Sequence, residues 1–266
     1  MDWVRKDIAP ETVKETAARY GVDLLSASIM ARRGLAAPEE ARWFVEEGLR
    51  HLHNPFLLDG MEDAVDRMLQ ALDEGEKLLV FGDRDTDGVT STALMVEGLR
   101  ALGADVSWRV PRADEPYGLT VAALEEFAAA GGTLVITVDC GISNHEEADR
   151  ALELGIDLVV LDHHNLQAPE PPEAVAVVDP KLPDSGYPFR DLAGVGVAWK
   201  ALRALAFARS GFYKQDIALL NVRPAADSYI VEAVRLRNLV EIGRVAETIV
   251  PGMVDLSRTR LVPFLE

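Results

Sequence analysis

Asp162-His-His164 follows directly on the apolar run Asp157-Leu-Val-Val-Leu161. Two adjacent imidazoles and a carboxylate at the end of a buried strand are costly to desolvate unless they share a cation. Three further apolar runs also end in aspartate: Asp83 after residues 78–81, Asp139 after 133–138 and Asp179 after 175–178. One such residue is ordinary, because aspartate favours turns and helix N-caps. Four of them, with His163 and His164 in the same layer, concentrate like charge and point to a bound metal.

The segment Gly82-Asp-Arg-Asp-Thr-Asp-Gly88 narrows the chemistry. Asp83, Asp85 and Asp87 alternate along a strand-to-helix turn, so Asp83 and Asp85 are expected on one side. The glycines allow a tight turn, and Thr90, Ser91 or Thr92 is expected to cap the helix that follows. Asp-x-Asp-x-Asp-Gly also opens a calcium-binding EF-hand loop, but that loop needs a glutamate at its twelfth position. The twelfth residue from Asp83 is Leu94, and a strand precedes the loop, so that reading fails. A phosphate-binding P-loop fails too, since no Gly-Lys-Ser/Thr follows. Carboxylates with one or two imidazoles suit manganese or magnesium, with zinc or iron open. Several carboxylates around one pocket fit a pair of metals, the arrangement used for in-line phosphoryl chemistry.

The elements that must position these groups are legible as alternation. Apolar runs at 78–81, 106–110, 133–138, 157–161 and 174–178 read as strands. Amphipathic segments at 90–102, 120–130 and 145–154 read as helices between them. Short, continuously apolar strands separated by helices predict an α/β fold: a doubly wound, mainly parallel sheet with helices on both faces. Such sheets bind ligands outside the carboxyl ends of their strands, where the four aspartates stand. Residues 1–70 read as a helical segment, with helix starts at Pro10-Glu11 and Ala37-Pro38-Glu39-Glu40, and residues 71–266 as the domain that holds the sheet and the strand-end aspartates. Further helices are expected from Gly194 to about residue 210 and over 227–240.

Bulk composition bounds the function. The 266 residues contain 48% hydrophobic and 27% charged residues, ordinary for a globular protein. No stretch reaches the roughly 20 apolar residues needed to cross a bilayer, so no membrane partner is expected. The single cysteine, Cys140, excludes an internal disulfide and is compatible with the cytoplasm; it reads as a small core residue. The formal net charge of −17 argues against a free-standing nucleic-acid clamp, which needs a basic face. His51, His53 and His145 read as surface or helix-start polarity, and the four tryptophans as packing.

In order, Gly82-Asp-Arg-Asp-Thr-Asp-Gly-Val-Thr-Ser-Thr-Ala93, Tyr117-Gly-Leu119, Ile136-Thr-Val-Asp-Cys-Gly-Ile-Ser143, Asp162-His-His164 and Gly194-Val-Gly-Val-Ala198 resemble the motifs of the DHH phosphoesterases. Within that superfamily the chain is most similar to the RecJ-type exonucleases, which digest single-stranded DNA 5′→3′ in repair and recombination. The resemblance covers about residues 78–251. It implies two Mn2+ or Mg2+ ions, with Asp83, Asp85, Asp139 and His163 as ligands and Asp139 bridging. His164 would face the scissile phosphate, Asp162 would orient an imidazole, and Arg112 and Arg84 would meet the substrate. Gly243-Arg-Val-Ala-Glu247 stands where the family's last motif typically reads Gly-Thr-Val-Ala-Asp, which makes Glu247 an expected ligand. Asn238 replaces an aspartate of that motif, and Arg84 replaces an aromatic residue. RecJ-type enzymes also carry a DHHA1 domain and an oligonucleotide-binding fold C-terminal to this core. The resemblance therefore implies a domain cut from a longer protein, with single-stranded DNA gripped mainly by those further domains and with DNA-repair proteins as partners. Two alternatives remain at this point: a DHH phosphodiesterase of short oligonucleotides or cyclic dinucleotides, and a non-catalytic scaffold of the same fold.

Overall fold

The computed structural model describes residues 6–37, 41, 48–249 and 264. The chain divides into two compact units, residues 1–53 and 54–266. In the first unit, α1 (Pro10–Tyr20) and α2 (Leu24–Arg32) pack together. Proline opens α1 and Gly21, at φ 65°, closes it; the Asp23 side chain caps α2 by accepting from Leu25 and Ser26 N–H. The helix start expected at Pro38 lies outside the described residues.

The second unit opens with α3 (Met61–Glu74) and is built on β1 (Lys77–Gly82), α4 (Thr86–Ala101), β2 (Asp105–Arg109), α5 (Val121–Ala129), β3 (Leu134–Val138), α6 (His145–Leu154), β4 (Asp157–Leu161), β5 (Ala176–Val178) and α7 (Gly194–Ala208). All five strands are parallel, in the order β2-β1-β3-β4-β5. β3 is buried along its whole length, as a strand covered on both faces must be. Alternate residues serve opposite cores. Leu78, Val80, Leu134, Ile136, Val159 and Leu161 pack against α3, α4 and α7, whereas Leu79, Phe81, Val135, Leu158 and Val160 pack against α5 and α6. The doubly wound α/β sheet expected from the alternation is therefore present.

The order of the strands fixes where a ligand can bind. From β1 the chain crosses outward to β2 and then back past β1 to β3, so a crevice opens beyond the carboxyl ends of β1 and β3. α3 packs on the sheet through its buried Met61, Val65 and Met68. Its Arg67 adds a fork of charge-assisted bonds, to Glu76 at 2.6 Å and to Asp157 at 2.5 Å. Among the described residues no helix is long and apolar enough to cross a membrane.

One expected element is corrected. Residues 227–240 form not a helix but the centre of an antiparallel meander: β6 (Asp216–Ala225), β7 (Ser228–Arg237) and β8 (Val240–Ile249). The run Ser228-Tyr-Ile-Val-Glu-Ala-Val-Arg-Leu-Arg237 satisfies a helical period loosely, but it is rich in β-branched and aromatic residues and finds a full partner strand on each side. Asn238 and Leu239 both adopt positive φ, 50° and 61°, the conformation of a two-residue hairpin turn.

Candidate metal centre

β1 and β3 are neighbours in register, with Gly82 opposite Val138, so the residues that leave their ends are held side by side. Asp83 follows β1 and is buried. Gly88 is obligatory behind it, since a Cβ there would lie 2.4 Å from the Asp83 carbonyl oxygen. Asp85 is the N-cap of α4, its Oδ1 accepting from Gly88 N–H at 2.9 Å. The helix thus begins four residues earlier than its threonines indicated. Thr90, Ser91 and Thr92 do not cap it; their hydroxyls donate to backbone carbonyls of Thr86, Asp87 and Gly88 within its first turns.

Asp139 leaves β3 at φ 59°, a left-handed conformation that costs on the order of 1 kcal/mol for a residue other than glycine. The turn is held by its own N–H, which donates to the Leu161 carbonyl at 3.0 Å. Tyr117 adds a hydroxyl that donates to the Asp139 carbonyl at 3.2 Å. The carboxylate is then fixed but not satisfied. Asp139 Oδ1 and Asp83 Oδ1 are both buried without a hydrogen-bond donor. His163 Nε2 stands 3.0 Å from Asp139 Oδ1 but not in line to donate to it. Burial, with the charges of Asp87 and Asp85, raises the Asp139 carboxyl to about 7.

Asp162 ends β4 in a different role. It is fully buried, and its two oxygens accept from His163 N–H at 2.7 Å, His164 N–H at 3.2 Å and Ile142 N–H at 2.9 Å, with His164 Nδ1 at 2.7 Å. Burial alone would raise its carboxyl, but the bonds from His164, Ile142 and His163 outweigh it and hold the group below its ordinary value. The same contact raises His164, which burial opposes. Burial and the neighbouring His164 charge instead lower His163, keeping it neutral with a lone pair to offer.

These positions produce two convergent groups. One ligand atom from each of Asp83, Asp85 and Asp139, and one from each of Asp139, His163 and His164, lie within 4.8 Å of one another, and Asp139 is common to both. Orphaned buried oxygens, a neutral imidazole and a hard-oxygen donor set fit divalent cations of the manganese or magnesium kind.

Three residues that sequence reasoning did not assign complete the site. Asp87 accepts at 2.8 Å from both Gly194 and Val195 N–H, docking the N-terminus of α7, and its Oδ2 is 3.7 Å from His163 Nε2. Gly194 leaves the space that Asp139 fills: a Cβ there would lie 2.3 Å from Asp139 Oδ1. Tyr117 packs edge-on to the His164 ring at 6.0 Å. The motif order quoted above contained all three, but only the long-range contacts give them work.

The remaining expected residues fall elsewhere. Asp179 is buried at the end of β5, accepts from Lys181 N–H at 2.7 Å and joins neither group; burial raises it to about 7. Glu247 lies on β8, paired in register with Val231, and is in neither convergent group. Asn238 is not at the crevice. It is buried, accepts from Lys214 N–H at 2.7 Å through Oδ1 and donates to Glu62 at 2.8 Å, tying the β7–β8 turn to α3. Arg112 is exposed on the loop after β2, and Arg84 reaches the backbone of that loop.

Fold and site together define a doubly wound domain with a carboxylate-histidine cluster at its switch point. The model of the DHH family, N-terminal domain, matches residues 77–222, and the chain belongs to the DHH family. The single-stranded-DNA-specific exonuclease RecJ of Bacillus subtilis is 40% identical over 206 residues, 77% of this chain and 26% of that protein. The protein of the same name from Escherichia coli is 35% identical over 226 residues, 83% of this chain and 36% of its own length. The crystal structure of RecJ in complex with Mn2+ from Thermus thermophilus matches with a TM-score of 0.58 at 33% identity, over 75% of this chain and 28% of that one. The chain thus spans about a quarter to a third of the length of these relatives.

Proposed function

We propose that this chain is the catalytic core of a RecJ-type nuclease, hydrolysing phosphodiester bonds of single-stranded DNA from the 5′ end with two Mn2+ or Mg2+ ions. The observation that carries the reading is the pair of convergent groups sharing Asp139. Asp83, Asp85 and Asp139 would hold one ion, and Asp139 with His163 the other. Bound there, such ions supply a water activated near neutral pH and charge stabilisation for the phosphate oxygens.

The chain's own groups do the rest. Asp162 anchors His164 through Nδ1, which fixes the tautomer and leaves Nε2 for a phosphate oxygen. His163, kept neutral, offers its Nε2 lone pair. Asp87 and the first turn of α7 hold the Asp139 carboxylate in place from behind. Arg112 is assigned to the substrate strand. With a net charge of −17 the chain has little general attraction for phosphates, so its own affinity for single-stranded DNA is expected to be weak at physiological salt. Work in the cytoplasm, in DNA repair and recombination and beside repair proteins, belongs to the same reading.

The test combines calorimetric Mn2+ titration with hydrolysis of a 5′-labelled single-stranded oligonucleotide. Wild type is expected to bind Mn2+ and release nucleotides, and Asp139→Ala to lose both while remaining folded by circular dichroism. Turnover retained in Asp139→Ala would refute the shared-ligand role, and absence of Mn2+ binding to wild type would favour a scaffold.

A further inference from the structure

We propose that Arg84 is a positioning residue: its guanidinium clamps the loop between β2 and α5, which carries Arg112 and Tyr117, over the mouth of the metal centre. Arg84 stands between Asp83 and Asp85, on the turn that leaves β1. Its Nη1 donates to three backbone carbonyls of the loop, those of Arg112 at 3.1 Å, Ala113 at 3.4 Å and Glu115 at 3.3 Å. Three carbonyl dipoles converging on one point repel one another. A donor-rich cation at the focus relieves that repulsion well, and Nη1 has two hydrogens to share among them.

The loop has no other regular structure to set its course. Its tip is a single turn, in which Glu115 N–H donates to the Arg112 carbonyl at 3.1 Å and the Glu115 carboxylate accepts from Arg112 N–H at 2.7 Å. Arg109, at the end of β2, braces the same carboxylate at 2.7 Å. Downstream, Tyr117 rests on the Asp139 carbonyl, and Gly118, at φ 82°, packs against Asn144. The far end of the loop is thus pinned to the centre by Tyr117, and the near end by Arg84. Release of Arg84 removes the bonds that tie the turn presenting Arg112 to the segment after β1, leaving it to the Arg109 brace. The clamp also ties the loop to the segment that carries Asp83 and Asp85, so these carboxylates and the exposed Arg112 are joined through one set of bonds.

Hydrogen exchange followed by mass spectrometry tests this without reference to activity. In Arg84→Ala, amides of residues 110–117 are expected to exchange on the order of tenfold faster than in wild type, with the sheet unchanged. Arg84→Lys keeps a cation with several donors and should restore part of the protection. Mn2+ affinity should stay within about twofold of wild type in both, since Arg84 is not a ligand. Unchanged exchange over 110–117 in Arg84→Ala overturns the proposal. So does loss of Mn2+ affinity with the loop still protected, which would place Arg84 at the ions. A kinetic arm rests on the hydrolase reading: Arg84→Ala should raise KM for the oligonucleotide far more than it lowers kcat. If wild type hydrolyses nothing, that reading fails while the exchange result still decides the clamp.

Discussion

Gly194 stands at the start of α7 with no room for a side chain. A Cβ added there would lie 2.3 Å from Asp139 Oδ1, 2.6 Å from its Cβ and 2.7 Å from its Cγ. The backbone is not the obstacle, because Gly194 is not among the glycines at positive φ, and alanine favours a helix over glycine by up to about 1 kcal/mol. Contact without strain begins near 3.4 Å, so the carboxylate or the helix must yield by ~1 Å. Overpacking of this kind costs about 1–3 kcal/mol, and the helical gain offsets part of it. Gly194→Ala is therefore expected to stay folded, destabilised by about 0–2 kcal/mol in urea denaturation. Function should suffer far more: displacing a reacting group by ~1 Å lowers turnover on the order of a hundredfold. Calorimetry should show weakened Mn2+ binding in parallel. A Gly194→Ala protein with wild-type Mn2+ affinity and wild-type hydrolysis would mean that the Asp139 carboxylate is not held where the chemistry occurs, and the reasoning from this geometry would fall.

Further outcomes follow from the same contacts. Asp162→Ala removes an acceptor of three backbone N–H groups and the partner of His164 from a fully buried position, and should cost at least about 3 kcal/mol; a loss under about 1 kcal/mol in urea denaturation contradicts that role. Because Asp139 is raised to about 7 in the folded protein, the native state binds more protons there than the unfolded one. Its contribution to metal-free stability therefore falls as pH rises from about 4 to about 7, and Asp139→Asn should flatten the decline in Tm over that window; identical pH profiles for the two proteins argue against it. Cation binding must expel that proton, so Mn2+ titrations near pH 6 in buffers of different ionisation enthalpy should report proton release that fades above about pH 8; buffer-independent heats would count against the assignment. Asn238→Ala loses two side-chain hydrogen bonds and leaves alanine at φ 50°, so about 2–4 kcal/mol of stability should go while Mn2+ affinity holds. Glu247→Gln should likewise leave that affinity unchanged, and a clear drop in either variant would return the segment to the metal site.

Local sequence determined a good deal. Continuous apolar strands alternating with helices could bury themselves only as a covered parallel sheet, and the carboxyl ends of those strands had to share one edge. Asp83, Asp85, Asp139, Asp162, His163 and His164 were legible as a candidate site for that reason, each being a chemically expensive residue at a strand end or on the turn that follows it. Periodicity could not separate strand from helix over 228–237, because a ten-residue segment of mixed apolar and charged residues satisfies both loosely and the choice was made by β6 and β8 on either side.

Tertiary structure alone decided the division of labour among like residues. Four aspartates end four strands, and Asp83, Asp139 and Asp179 each keep a buried oxygen without a donor, but only Asp83 and Asp139 fall in the convergent groups, whereas Asp162 spends its oxygens on N–H groups and a histidine. Asp87 gained its place from Gly194, 107 residues away, and Asn238 its role from Glu62, 176 residues away. Such roles depend on which donors the folded chain brings within about 3 Å, and no local pattern encodes a contact made across that much sequence.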